Sequence, residues 1–181
     1  KSQYEKTINS IQNSIDEYEI RINKLKTVEN CIKSRKNTFN VKDSYYSSMV
    51  SGYVSNYDAT KLQYDNQINE VKSSVKELKK QLKAAKDTSV IKELKNNISS
   101  VQTKIKSYQK ERKKVLKNLE LQQIATIEQQ IETINTTILS LQSNLDSAQA
   151  QVETLNGTDS EINANISILT EKENVASELL T

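Results

Sequence analysis

The sequence predicts an all-α fold, a long antiparallel coiled-coil helical hairpin with interrupted helices. The 181 residues contain no proline and only two glycines, Gly52 and Gly157, and these residue types break or weaken helices. Apolar residues recur at alternating three- and four-residue steps, which is the heptad pattern of a coiled coil. Hydrophobic residues make up 35% of the chain and charged residues 27%, which suits a narrow apolar seam better than a thick core.

The first predicted helix covers residues 3–37. Its seam comprises Tyr4, Ile8, Ile11, Ile15, Tyr18, Ile22, Leu25 and Ile32. The helix should end where Asn37, Thr38 and Phe39 form a turn-like cluster. Asn40 is the expected N-cap of the second helix, and Asp43 suits its first turn.

The second predicted helix covers residues 42–86, and the chain then reverses at a tip near residues 86–89. The seam of this helix comprises Tyr46, Val50, Tyr53, Tyr57, Tyr64, Ile68, Val71, Val75, Leu78 and Leu82. Asp87 or Thr88 is the expected N-cap of the returning helix.

The returning part of the chain is predicted as two helices, residues 89–156 and 159–180. Asn156 and Gly157 are typical of a helix C-terminus, and Thr158 and Glu161 have capping-box spacing. The alternative is a compact four-helix bundle folded near residues 38, 87 and 157. The single hairpin domain over 1–181 is favoured, because the bundle requires a helix of nearly 70 residues to bend.

The seams match when the chain is folded back at the tip. Leu82 then faces Leu94, and Tyr64 faces Arg112 in a cation–π contact. The first helix is then placed along the later part of the returning chain, beyond the second helix and in line with it. In that arrangement Ile32 faces Ile138 and Tyr4 faces Ile166.

Composition excludes several kinds of site. The chain has no histidine and a single cysteine, Cys31, so a zinc site, a disulfide framework and histidine-based catalysis are excluded. No phosphate loop or catalytic pairing occurs, and we expect neither an enzyme nor a cofactor. No apolar stretch is long enough to cross a membrane. Because the sequence begins with Lys1, we interpret it as a fragment of a larger protein with its membrane anchor elsewhere.

Charge is concentrated around the tip. Residues 72–117 contain fifteen Lys or Arg and four acidic residues. The candidate tip site comprises Lys79, Lys80, Lys83, Lys86, Lys92 and Lys95. These lysines either form a solvated surface or bind an anionic partner such as wall teichoic acid, lipid headgroups or an acidic protein. Nucleic acid is not expected, because no exposed aromatic side chain accompanies the lysines.

Five of the eight tyrosines fall within residues 45–64. Most have seam spacing, but Tyr45 does not, and we predict that it contacts a third helix or a neighbouring subunit. Gly52 lies among these tyrosines and would allow a close approach or a kink. Cys31 lies beside the seam residue Ile32 and is interpreted as a small flanking apolar residue.

The sequence resembles the hairpin of haemolysin-D-type membrane fusion (adaptor) proteins, most closely the bacteriocin- and competence-peptide-secretion accessory proteins of Gram-positive bacteria. The resemblance depends on Asn37, Phe39, Tyr45, Tyr53 and Tyr57, followed by Gln-, Asn- and Ser-rich repeats of Ile and Leu. The tip lacks the Arg, Leu and Ser pattern with which Gram-negative members dock an outer-membrane channel.

The resemblance implies an extracytoplasmic, membrane-associated protein that assists peptide export. Its partners would be an ABC exporter with a leader peptidase, and further copies of itself. Two other function classes stay open. One is the helical N-terminal module of a secreted Gram-positive toxin, which a downstream catalytic domain would reveal. The other is a structural coiled-coil rod of a surface or phage protein, which a parallel homodimer would reveal.

Overall fold

The computed structural model describes the backbone of residues 2–180 and the side chains of residues 2–177. Helix α1 spans Ser2–Ser34, α2 spans Ser44–Ala84 and α3 spans Thr88–Leu180. A short 3₁₀ helix, Val41–Asp43, precedes α2. Every described element is helical, so the all-α prediction is confirmed.

Helix α1 ends in a Schellman motif. The backbone N–H of Lys36 donates to the carbonyl of Cys31 (3.1 Å) and that of Arg35 to the carbonyl of Ile32 (3.3 Å). Arg35 has a φ of 55°, the left-handed conformation that this motif requires. Helix α1 therefore ends before the predicted residue 37, and α2 begins at Ser44 rather than residue 42.

The N-cap predicted at Asp87 is confirmed, whereas Asn40 caps the short 3₁₀ helix, and Asp43 rather than Asn40 is the N-cap residue of α2. The side chain of Asn40 accepts a hydrogen bond from the backbone N–H of Lys42 (2.9 Å) at the start of the 3₁₀ helix. At the tip, the carboxylate of Asp87 accepts from the backbone N–H of Ser89 (2.8 Å). These side chains satisfy backbone donors that have no partner within their own helix.

Helices α2 and α3 form the predicted antiparallel hairpin. The hydroxyl of Tyr64 donates to Glu111 (3.4 Å), and the guanidinium of Arg112 pairs with Asp65. Both contacts fit the predicted register, in which Tyr64 faces Arg112. The predicted cation–π contact is replaced by this ion pair, because Asp65 offers Arg112 a carboxylate beside the seam.

Helix α3 does not end at Gly157, so the predicted division into helices 89–156 and 159–180 is wrong. The hydroxyl of Thr158 donates to the carbonyl of Thr154 (3.0 Å) within the helix instead of capping a new one. Neither glycine has a positive φ. A single glycine weakens a helix without breaking it, and no proline follows.

Replacing Gly157 by Ala is expected to stabilise this part of α3 by about 0.5–1 kcal/mol, because alanine loses less backbone entropy on helix formation. A Cβ atom at Gly157 would meet no atom within 4 Å. Amide hydrogen exchange around residues 150–165 measures the change. If residue 157 adopted the left-handed conformation of a helix terminus, alanine would speed exchange instead.

The residues divide into two compact units. The first contains the chain up to Asn23 together with the residues from Ile131 onward, and the second contains Lys24–Gln130. In the first unit, Ile15, Ile22 and Ile138 are buried. The side chains packed against them are Ile11, Tyr18, Ile131, Ile134, Leu141 and Leu145.

This packing corrects the register predicted for α1. Tyr4 and Ile11 line an open groove with Asn144 and Ala148, so Tyr4 lies well short of its predicted partner Ile166. Ile166 is 55% exposed. A heptad seam matches equally well after sliding by whole repeats, so the apolar pattern did not determine how far along α3 this helix lies.

The register of α1 is shifted because α1 and α2 lie side by side and parallel in the second unit. Arg35 at the end of α1 lies over the ring of Tyr57, 4.8 Å from its centroid. Lys24, ten residues before the end of α1 at Ser34, pairs with Asp43 at the start of α2 (2.9 Å). The linker between the helices therefore runs back along α1, and the predicted in-line arrangement is wrong.

We call this region the three-helix segment: residues 24–34 of α1, 44–57 of α2 and 120–130 of α3. It contains the most completely buried side chains that the structure describes, Val28, Ile32, Val50 and Ile127, each at 0% exposure. A third helix can enclose a seam that two helices leave partly open to solvent, which accounts for this burial.

Candidate functional surfaces

All six predicted tip lysines are exposed. They lie on the last turns of α2, in the linker Ala85–Asp87 and on the first turns of α3. Within the part of the chain that the structure describes, none of them forms an ion pair. The tip therefore presents a net positive charge.

Tyr45 lies on what we call the aromatic surface, formed by Phe39, Val41, Tyr45 and Tyr46. Tyr46 stacks on Phe39, with 5.9 Å between ring centroids, and Tyr45 contacts Tyr46 edge to face at 5.2 Å. Tyr45 is 65% exposed and Val41 is 95% exposed. No helix of the second unit covers Tyr45, so of the two predicted contacts a neighbouring subunit is the one that stays open.

A polar cluster occupies the end of the three-helix segment. Tyr53 is only 6% exposed, and its hydroxyl has no hydrogen-bond partner. Burial raises the pKa of Tyr53, and the negative charge of Glu120 and the neighbouring Tyr57 raise it further, while Arg35 opposes the shift. The folded chain therefore favours the neutral hydroxyl.

Replacing Tyr53 by Phe is expected to stabilise the chain by about 1 kcal/mol, because an unsatisfied buried hydroxyl costs about 1–3 kcal/mol.

The raised pKa of Tyr53 also makes the stability of the chain depend on pH. Because folding favours the neutral hydroxyl, the free energy of unfolding does not change with this group below its unfolded pKa of about 10. It falls as the pH rises from there through the higher folded pKa. The stability of the wild type should therefore fall more steeply in alkali than that of Tyr53→Phe. Urea denaturation at neutral and alkaline pH measures both effects. Tyr46→Phe, on the partly exposed aromatic surface, is the control. A loss of stability at neutral pH in Tyr53→Phe would show that the hydroxyl has a partner.

Two further predictions concern Cys31 and Gly52. Cys31 is 3% exposed, and its Sγ lies 3.3 Å from the hydroxyl of Thr38, so it joins the end of α1 to the linker. A Cβ atom at Gly52 would meet nothing within 4 Å. The close approach predicted for Gly52 therefore does not occur among the residues that the structure describes.

Sequence reasoning missed the contacts that hold the linker in place. The side-chain amide of Asn37 donates to the carbonyl of Ser47 (3.1 Å) and to the hydroxyls of Ser47 (2.8 Å) and Ser51 (3.1 Å). Lys24 lies 5.9 Å from the ring centroid of Phe39 as well as pairing with Asp43. Asn37 and Phe39 mark a helix terminus in the sequence, but the return of the linker along α1 has no local sequence signal.

Two kinds of site are absent from the described residues. No group of three or more His, Cys, Asp or Glu side chains there is placed to hold a metal ion. None of the helices, as far as the structure describes them, combines the length and apolar character that crossing a membrane requires.

Comparison with known families agrees with this architecture. The model of the LcnD-like, long helical bundle domain matches residues 1–150. The chain belongs to this family. The match includes α1, the linker, α2, the tip and α3 as far as residue 150, and it confirms the resemblance to the helical hairpin of bacteriocin-secretion accessory proteins. No curated protein and no solved structure matches the chain.

Proposed function

We propose that this LcnD-like bundle is the extracytoplasmic, non-enzymatic helical hairpin of a membrane fusion (adaptor) protein. Its role would be to assist an ABC exporter with a leader peptidase in secreting a peptide such as a bacteriocin. The observation that supports the proposal is the family match, which covers both interruptions of the hairpin and the whole three-helix segment. The membrane anchor would lie outside these 181 residues.

The three-helix segment would serve this role mechanically. Its fully buried side chains and the linker contacts of Asn37 and Lys24 fix α1 against α2. A fixed bundle can present the aromatic surface in a constant orientation, and aromatic side chains are enriched at protein interfaces. Copies of the chain would contact one another through Tyr45 and assemble beside the exporter.

The test is a secretion assay in cells that produce the exporter and its cargo peptide. Deleting the gene for the protein that contains this chain should reduce the processed peptide in the medium to background, and wild-type protein should restore it. Unchanged secretion after deletion would overturn the proposal and favour the toxin module or the structural rod.

A second pair of variants tests the role of the aromatic surface. Tyr45→Ser should reduce both self-association and secretion, whereas Leu62→Ser should leave both unchanged. Leu62 is the matched control because it lies on the same helix at similar exposure, 60%. Normal assembly and secretion of Tyr45→Ser would exclude Tyr45 as a lateral contact without affecting the family assignment.

A further inference from the structure

A stripe of lysines runs along the part of α2 that leads to the tip. Lys72, Lys76, Lys79 and Lys83 follow one another at four-, three- and four-residue steps, so they share one face of the helix. These side chains, with Lys80 beside them, line an open groove that also includes Ser73, Val75 and Glu77. We call Lys72, Lys76, Lys79 and Lys83 the lysine stripe.

The lysine stripe carries four positive charges, and its groove contains one carboxylate, Glu77. All four lysines are exposed, and among the described residues none forms an ion pair. Like charges at three- or four-residue spacing destabilise a helix. Glutamine at these positions would remove the repulsion at no cost in helix propensity, and only Lys83, in the last turn of α2, lies where a cation stabilises the helix.

A second set of lysines with the same spacing lies on α3, but one of its members is paired with a carboxylate. It comprises Lys106, Lys110, Lys113 and Lys117. Lys117 lies 3.7 Å from Glu120, and the open groove that contains Lys113 and Lys117 also contains Glu120. The nearby Arg112 pairs with Asp65. The stripe on α2 is the stronger candidate for an anionic partner, because the described ion pairs include Lys117 and the neighbouring Arg112 on α3 but no lysine of the stripe.

The surroundings of the stripe limit the kind of anion. Val90 is the one exposed large hydrophobic side chain in residues 70–98, so there is no apolar face that could enter a lipid bilayer. Aromatic side chains are absent from that range, so bases have nothing on which to stack. The cations are lysines, which act as point charges toward phosphate and lack the planar fork with which arginine holds a carboxylate.

We propose that the lysine stripe binds a linear polymer that carries one phosphate in each polyol repeat. Successive lysines on a helix face lie about 5–6 Å apart, and the four span about 16 Å along α2. A three-carbon polyol between phosphates gives a comparable step, so each lysine meets a separate phosphate. This binding does not depend on the proposed role in export, and either proposal can fail without the other.

The experiment measures binding of poly(glycerol phosphate) to the intact 181-residue chain by titration calorimetry over a series of salt concentrations. The test variant is K72Q/K76Q/K79Q/K83Q. The control is K6Q/K26Q/K61Q/K172Q, which removes the same charge from four exposed, scattered lysines. The test variant should keep the fold of the wild type, which circular dichroism verifies, because the repulsion removed between exposed lysines offsets the loss of the cation Lys83 from the last turn of α2.

The expected result is a loss of affinity of at least about tenfold in the test variant. The slope of log affinity against log salt should fall by about 3, since each phosphate contact to a flexible single strand contributes about 0.7. The control should keep its affinity within about threefold, because at 0.15 M salt charges more than about 8 Å away are largely screened.

Three results would overturn the proposal. Equal losses in the test variant and the control would show that net charge alone governs binding. Equal affinity for polyglutamate would remove the selectivity for phosphate. Binding to phosphatidylglycerol vesicles without binding to poly(glycerol phosphate) would identify a membrane surface as the partner.

Discussion

Replacing Ile127 by Ala should lower the free energy of unfolding by about 2–5 kcal/mol, the usual cost of removing a large apolar side chain from a packed core. Ile127 is fully buried in the three-helix segment. Truncation leaves a cavity, and three helices held by the linker contacts cannot easily move together to fill it. Urea denaturation followed by circular dichroism measures the change.

The matched control for this prediction is Ile162→Ala on the same helix. Ile162 is 50% exposed, so its truncation removes few contacts and should change stability by less than about 0.5 kcal/mol. Similar effects of the two substitutions would show that α3 is no more enclosed at residue 127 than near its end.

Replacing Val50 by Asp should destabilise the three-helix segment by at least about 3 kcal/mol, because it places a carboxylate without a partner in an apolar core. Val50 is fully buried, whereas Val41, nine residues earlier, is 95% exposed. Val41→Asp is therefore the control and should be close to neutral. Amide hydrogen exchange distinguishes local from global unfolding.

The exchange pattern is part of this prediction. In Val50→Asp, α1 and the first turns of α2 should lose protection, while residues around Tyr64 and Arg112 keep theirs. The Tyr64–Glu111 and Asp65–Arg112 contacts lie outside the three-helix segment and hold α2 to α3 without α1. Protection that disappears uniformly would show that the second unit unfolds as a single cooperative block.

The sequence was sufficient to predict the hairpin between α2 and α3. The tip fixes its register, because facing residues must lie at equal distances from a short turn. Asp87 also has a specific local signal, since aspartate accepts a hydrogen bond from the first turn of a helix. The predicted pairing of Tyr64 with Arg112 therefore agrees with the structure to within one residue.

The position of α1 could not be predicted in the same way. Nine residues separate Ser34 from Ser44, and a linker of that length can continue forward or run back. Its direction depends on contacts between residues distant in sequence, such as Lys24 with Asp43 and Arg35 with Tyr57. No local propensity or heptad spacing contains that information.

Some features of the candidate surfaces could likewise be predicted from the sequence, and others could not. Exposure of Tyr45 and of the tip lysines follows from their positions off the seam, and the structure agrees with it. The polar cluster of Arg35, Tyr53 and Glu120 was not foreseen, because Tyr53 has the spacing of an ordinary seam residue. Its hydroxyl is buried without a hydrogen-bond partner, whereas a side-chain end at the edge of a two-helix seam stays in water.

The side-by-side arrangement of α1 and α2 is the central structural claim, and a distance between spin labels tests it most directly. Labels at the exposed residues Ser34 and Asn56, in a Cys31→Ala background, report on the two helices near the contact of Arg35 with Tyr57. Packed helices lie about 8–10 Å apart, so pulsed electron paramagnetic resonance should give a separation below about 20 Å. If α2 instead continued in line with α1, the 22 intervening steps would place the labels about 33 Å apart, and that result would contradict the account.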